Sequence, residues 1–346
     1  MPRVLMVDWL GRGGIAQATE AWAIELGDRR YDVETVTRPG RELGGGLVPT
    51  IASRERRGRI AAHRAVVQTA AQRIRDVRPD CVIVQNYVVP PLERPVYEAA
   101  RAAGARLVVV IHDDRLHTWR AGTAMGLARN LRLADVVATH SEHVATRVRD
   151  DSKRNDVVVL PLPVPIGMLW HSRGPRPEQL ADHPDARWCG HFGVVHRRYK
   201  GTNLVEQLAR EGAEGWDFAV FGAGAQPGPG LHVLPGYLDP GELVAAVSTT
   251  DVTLAPYSYA TQSAVVVLAH ALGSVPIASA IGGIPEQLID GVDGMLLEPG
   301  AGIDAWRDAL HVLRDDDHRK ELAIAGENRA WAEHAESVAG LSRLVW

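Results

Sequence analysis

The chain has 346 residues, 46% of them hydrophobic and 23% charged, with a formal net charge of −4 at pH 7. That length calls for two domains, and the sequence has no run of about 18 apolar residues able to span a bilayer. The charge is uneven: residues 1–172 carry 25 Lys and Arg against 19 Asp and Glu, and residues 173–346 carry 13 against 23.

The chain opens on Met1–Leu10, where Asp8 and then Gly11 interrupt the apolar pattern before a secretory leader could form, so a cytoplasmic protein is expected. Short β-branched runs follow at Val4–Val7, Val33–Thr37, Cys81–Val84, Leu107–Ile111, Val136–Thr139 and Val157–Leu160, with helical patterns between them. This alternation predicts parallel βαβ units. Much of the positive excess lies in Arg54, Arg56, Arg57 and Arg59 and in the following helix with Arg64, Arg73, Arg75 and Arg78. These arginines form either a solvated helix face or a surface for an anionic acceptor or a lipid membrane. They lack interleaved aromatics and any nucleic-acid reader motif, so no nucleic-acid partner is expected.

A Pro-, Gly- and polar-rich segment from Pro161 to about Asp185 reads as a linker. The alternation restarts at Cys189–Gly193, Phe218–Phe221, His232–Leu234, Val252–Ala255, Val275–Ala278 and Met295–Leu297, and helical patterns over 302–315 and 318–344 close the chain. The predicted fold class is α/β, two Rossmann-like doubly wound domains facing each other across a cleft. Their bounds are 1–165, a linker over 166–186, and 187–327, with a last helix over about 328–346 returning to the first domain. Cys81 and Cys189, the two cysteines, both sit in strand-like runs and read as reduced core thiols.

Open parallel sheets bind ligands beyond the carboxyl ends of their strands, so the loops there carry the candidates. In the second half a strand ends near Pro256 and a helix starts near Ser263. The free amides of Ser263, Ala264 and Val265 at its positive end form an anion site, with a simple helix cap as the plainer reading. The loop Gly193–Gly201 gathers His196, Arg197, Arg198 and Lys200, whereas residues 202–306 contain no Lys or Arg except Arg210. Arginine forks and a lysine point charge suit a diphosphate. Gly222 and Gly224 allow a ligand close to the backbone, Tyr237 and Leu238 offer exposed backbone to a base, and Asp239, Pro240 and Glu242 read as a capping box.

In the first half, Gly11-x-Gly13-x-x-Ala16 fits a dinucleotide fingerprint formally. The second strand, however, ends in Thr37-Arg38 where a dehydrogenase would place an acid. His112 follows a strand at a position suited to function. Asp113 and Asp114 beside it have no further ligand placed by sequence, and no metal is expected.

In order along the chain, these elements resemble the retaining GT-B glycosyltransferases of family four (group 1). The elements are Gly13-Gly14, His112-Asp113, Ala134-Asp135, His140-Ser141-Glu142, Phe192-Gly193, Tyr199-Lys200-Gly201, Gly222-Ala-Gly224, Gly236-Tyr-Leu, Thr261-Gln262-Ser263-Ala264, Gly282-Gly-Ile-Pro-Glu286 and Asp290-Gly-x-x-Gly294. The resemblance implies transfer of a hexose-type sugar from a nucleoside-diphosphate sugar to a hydroxyl of a small-molecule, lipid or saccharide acceptor. It implies retention, no metal and no cofactor beyond the nucleotide sugar. Lys200 with Arg197 or Arg198 would neutralise the diphosphate, the 263–265 amides would hold it, and His112 would face the transferred sugar. Gly13 and Gly14 would admit the phosphates, and Tyr237 or Leu238 would meet the base. Two glutamates eight positions apart are common in the family; here Thr261 and Ala269 stand in their places, and Val194 replaces an arginine after the first strand's glycine. A nucleotide-sugar epimerase of the same fold, or a donor-binding partner subunit of low activity, are the alternatives.

Overall fold

Every apolar run predicted as a strand is one, with ends within one residue of those expected. The computed structural model describes residues 1–39, 49–113, 123–170, 177, 180, 186–195 and 199–346. The first sheet contains β1 (Arg3–Asp8), β2 (Asp32–Thr37), β3 (Thr50–Ala52), β4 (Cys81–Gln85), β5 (Arg106–Ile111), β6 (Val136–Thr139) and β7 (Val157–Val159). Its order is β3-β2-β1-β4-β5-β6-β7, and the pairs that fix this order are parallel. β3, which the sequence did not signal, is a three-residue edge strand with partly exposed residues.

The second sheet contains β8 (Trp188–Phe192), β9 (Asp217–Gly222), β10 (Leu231–Pro235), β11 (Val252–Ala255), β12 (Val275–Ser279) and β13 (Met295–Leu297). Its order is β10-β9-β8-β11-β12-β13, again parallel. Both orders reverse direction once, between β1 and β4 and between β8 and β11. These are the switch points at which neighbouring strand-end loops part and leave room for a ligand.

Helices cover both faces of each sheet, which is why β4, β8 and β12 are buried along their whole length and consist of apolar runs without alternation. In the first unit the Arg59–Val77 and Pro90–Ala103 helices pack Val66, Ala70, Ile74, Val96 and Ala100 over Val82, Val84, Leu107 and Val109. In the second, Trp216, Trp306, Leu310 and Leu313 close one face over Val220, Leu254 and Ile277. Trp188, Phe192, Phe221 and Val247 close the other. The Cys81 and Cys189 thiols are free and buried within these cores; burial pushes Cys81 up to about 12.

The chain divides into one unit of Met1–Gly167 with His334–Trp346 and another of Met168–Glu333. The continuous helix Asp316–Leu344 thus contributes its last turns to the first unit. There Trp22 Nε1 donates to Ser337 Oγ at 3.0 Å, Arg106 Nε donates to the Leu344 carbonyl at 2.6 Å, and His334 Nε2 lies 3.1 Å from Glu25 Oε1.

Candidate active site at the strand ends

In the second unit the loops after β8 and β11 flank the switch point. The β8 loop begins at Gly193, whose amide donates to the Phe221 carbonyl at 2.9 Å, and Val195 N donates to Ala223 O at 2.9 Å. Gly222 is therefore pressed against this loop: a Cβ there would stand 1.8 Å from the Gly193 carbonyl oxygen, so the Gly222–Gly224 turn and the β8 loop form one backbone surface. Arg197 and Arg198, with His196, lie outside the described residues.

The loop resumes at Tyr199-Lys200-Gly201 and enters the helix Thr202–Glu211. Tyr199 O accepts from Ser258 N at 3.0 Å, and a Cβ on Gly201 would stand 1.9 Å from the Pro256 carbonyl oxygen, with Gly201 at φ +66°. Both features bring the β8 and β11 loops into contact. Lys200 Nζ lies 4.0 Å from the centroid of the Tyr257 ring, which is 2% exposed. Such a cation–π contact is worth about 0.5–2 kcal/mol and fixes the ammonium at the mouth of the β11 loop. Among the described residues the Tyr257 hydroxyl and Gln262 Oε1 are buried without a hydrogen-bond partner.

The β11 loop ends at Ser263, the N-cap of the helix Ala264–Ala271, whose Oγ accepts from Val266 N at 3.3 Å. The Ser263 amide, expected to be free, is not: it donates to Gln287 Oε1 at 2.7 Å, and Gln287 Nε2 donates back to Ser263 O at 3.4 Å. Ala264 and Val265 are half-buried, and their amides have no partner among the described residues, as first-turn positions require. Thr261 and Ala269 are buried, Ala269 completely. Thr261 O accepts from Gly283 N at 3.0 Å, which ties this loop to the Gly282–Gln287 segment.

His191 on β8 lies beneath the site. Its Nδ1–H donates to Leu254 O at 2.9 Å, leaving Nε2 to accept from Thr202 Oγ1 at 3.1 Å. Burial, with the Lys200 charge adding to it, pushes this histidine down to about 4, so it is neutral and contributes no competing charge. Tyr237 is 53% exposed, Leu238 packs partly into the core, and the Asp239 capping box forms as read.

In the first unit the helix Gly13–Asp28 starts directly at Gly13-Gly14. Asp8 is buried, with Oδ1 accepting from the Leu10 and Gly11 amides at 2.9 and 2.8 Å. His112 is also buried: its Nε2–H donates to Gln85 Oε1 at 2.8 Å, and its amide donates to Asn86 Oδ1 at 3.3 Å. Burial and the neighbouring His140, 4.5 Å away between ring centroids, push His112 well below its ordinary value. Asn86 also donates to Asp113 Oδ2 at 2.8 Å and accepts from Trp9 Nε1 at 2.9 Å through its carbonyl. Gln85 and Asn86 are thus members of the site region that sequence reasoning missed. Asn86 holds φ +62°, a conformation Asn tolerates better than most residues, and this was the available signal. The arginines Arg54, Arg56, Arg57, Arg59 and Arg64 are exposed, as is Ile60 at 46%.

Residues 13–163 match the family model of the glycosyl transferase 4-like domain, and residues 187–316 match that of the glycosyl transferases group 1. The D-inositol 3-phosphate glycosyltransferase of Corynebacterium diphtheriae is 34% identical over 104 residues, 29% of this chain and 24% of that protein. The matched segment thus spans about a quarter of the relative's length. Among solved structures, sucrose-phosphate synthase from Thermosynechococcus elongatus superimposes with a TM-score of 0.77 at 16% identity, covering 99% of this chain and 98% of that one. The Anabaena protein HepE, solved in complex with UDP and glucose, gives 0.76 at 15% identity, covering 99% and 100%. At such identities the likeness establishes the fold.

Proposed function

This chain belongs to the group 1 glycosyltransferases of the GT-B fold, and from that premise we propose that it transfers a sugar from a nucleoside-diphosphate sugar to a hydroxyl acceptor, with retention and without a metal ion. The observation that carries this reading is the pairing of Lys200, held over Tyr257, with the Ala264 and Val265 amides, which have no partner among the described residues, on two loops joined at a switch point. One positive charge, two N–H donors and a helix N-terminus suit the two phosphates of a nucleoside diphosphate. They act most strongly on the charge that builds on the β-phosphate oxygen as the glycosidic bond breaks. Lys200 supplies in this scheme the cationic stabilisation that a metal ion supplies in others. Gly222 and Gly224 let the nucleotide lie against backbone, and the Tyr237–Leu238 backbone meets the base. Neutral His112, fixed through Nε2 by Gln85, orients by hydrogen bonding and does not act as a charged acid.

The acceptor is a small molecule, a saccharide or a lipid. The corynebacterial relative named for D-inositol 3-phosphate makes a phosphorylated polyol the first acceptor to assay. The exposed arginines from Arg54 to Arg64, with Ile60 among them, support peripheral contact with an anionic membrane. Flotation with anionic vesicles, lost in an Arg56→Glu, Arg57→Glu variant, tests that contact. A cytoplasmic setting belongs to the same proposal and is supported by the two unpaired, buried thiols.

A thermal-shift screen of nucleoside diphosphates and their sugars tests the donor site before any acceptor is known. One nucleoside diphosphate and its sugar are expected to raise the unfolding temperature. A screen in which none does so, or in which only nicotinamide dinucleotides do, would contradict the reading.

A further inference from the structure

The carboxamide of Gln287 occupies an unusual place for a side chain 5% exposed: it caps the backbone of Ser263 on both sides. Oε1 accepts from Ser263 N at 2.7 Å and Nε2 donates to Ser263 O at 3.4 Å. The residue before it is turned the other way, for Glu286 is exposed and its carbonyl accepts from Arg329 Nη2 at 2.7 Å. Arg329 also reaches Asp293, a buried carboxylate whose Oδ1 accepts from Ile289 N at 2.7 Å. The Ile284–Gln287 turn is therefore anchored on both flanks, with its carboxylate outward and its neutral amide inward.

Chemistry at this position is restrictive. A group bonded to both Ser263 N–H and Ser263 C=O needs one acceptor and one donor, which a carboxamide provides and a carboxylate does not. A carboxylate would face the Ser263 carbonyl without a proton between them. It would also set a full negative charge at the positive end of the Ala264–Ala271 helix, where it would compete with any incoming anion.

We propose that Gln287 is a positioning residue for the donor phosphates: it ties up the Ser263 amide, orients the Ala264 and Val265 amides as the donors left for the ligand, and does so without charge. This rests on the donor reading given above. The proposal assigns to Gln287 a part in anion selectivity that a packing role does not predict, because the isosteric change to Glu alters charge and not shape.

The test is calorimetric titration of the full chain with UDP, GDP, ADP and pyrophosphate at pH 7.5 and 5.5. The variants Gln287→Glu and Gln287→Met are compared with the wild type at each pH. At pH 7.5 Gln287→Glu is expected to bind the best of these compounds at least about tenfold more weakly than the wild type, or about 1.4 kcal/mol. At pH 5.5 its deficit narrows, since burial favours the protonated carboxyl, which regains one donor and one acceptor. Gln287→Met loses affinity by the same factor at both pH values. Binding by Gln287→Glu within twofold of the wild type at pH 7.5 overturns the proposal and leaves the donor reading standing. So does a deficit that is independent of pH and equal to that of Gln287→Met. If none of the four compounds binds the wild type, the donor reading falls and this inference with it.

Discussion

The first six strands of the two units follow the same order, yet their switch-point loops use polar groups differently. In the first unit Trp9, Gln85, Asn86, His112 and Asp113 hydrogen-bond chiefly to one another, and Asp8 to its own loop's amides. In the second unit Lys200 rests on a ring face, the Ala264 and Val265 amides have no partner among the described residues, and the Tyr257 hydroxyl is buried unpaired. The first network is nearly closed, with Gln85 Nε2 its one buried donor lacking a partner among the described residues, whereas the free donors of the second unit include backbone amides at a helix start beside a cation. The proposed anion site therefore belongs to the second unit, where a cation and helix-start amides stand together.

The sharpest way to break this contrast uses two glycines with the same backbone angle. Gly13 and Gly201 both hold φ +66°, but a Cβ on Gly13 meets nothing within 4 Å while one on Gly201 stands 1.9 Å from Pro256 O. Gly201→Ala is therefore expected to cost more than about 3 kcal/mol in urea unfolding, whereas Gly13→Ala costs about 1–2 kcal/mol, the strain of the left-handed conformation alone. Equal costs would show that the β8 and β11 loops are not in the close contact described.

Acidification should affect both units similarly, because each buries a neutral histidine under its site. His140 donates through Nδ1 to Leu160 O at 3.0 Å and, like His191, is pushed by burial to about 4. The folded state binds these protons more weakly than the unfolded chain does. Stability is complete above about pH 6.5, falls as the unfolded histidines protonate, and levels off near pH 4 as the folded ones protonate too. Each histidine accounts for about 3 kcal/mol over that window. Unfolding midpoints for His140→Phe and His191→Phe should each show a shallower pH dependence than the wild type; an unchanged slope would contradict the buried, neutral assignment.

The smallest effect sharpens the boundary of the ligand site. Asp239→Ala removes the Glu242 N to Asp239 Oδ1 bond of 2.8 Å from the capping box. It should cost about 1 kcal/mol of stability and leave nucleotide affinity unchanged. A tenfold loss of affinity would extend the donor site to this cap.

Both sheets and their strand limits were legible because buried parallel strands are continuous apolar runs, as in Cys81–Gln85 and Val275–Ser279. β3 was not, since three partly exposed residues carry no periodicity. Within the site, Lys200 and the helix start at Ala264 could be located from a cation in an acidic stretch and from a strand-to-helix junction. Gln287 and Gln85 could not. Each is a neutral side chain whose role arises from a backbone atom or a histidine that sequence places 24 or 27 positions away. No local pattern records such a contact. The expectation of three free amides failed for the same reason, because a residue distant in sequence had already taken one of them.

If Lys200 and the Ala264 and Val265 amides hold the donor diphosphate, as proposed, the affinity of the Lys200→Ala variant reports it directly. Titrated with the nucleoside diphosphate that stabilises the wild type best, Lys200→Ala should bind about tenfold to a hundredfold more weakly, while Lys200→Arg retains part of the affinity and the unfolding midpoint of the unliganded protein stays near that of the wild type. An affinity for Lys200→Ala equal to the wild type's would rule out this diphosphate site.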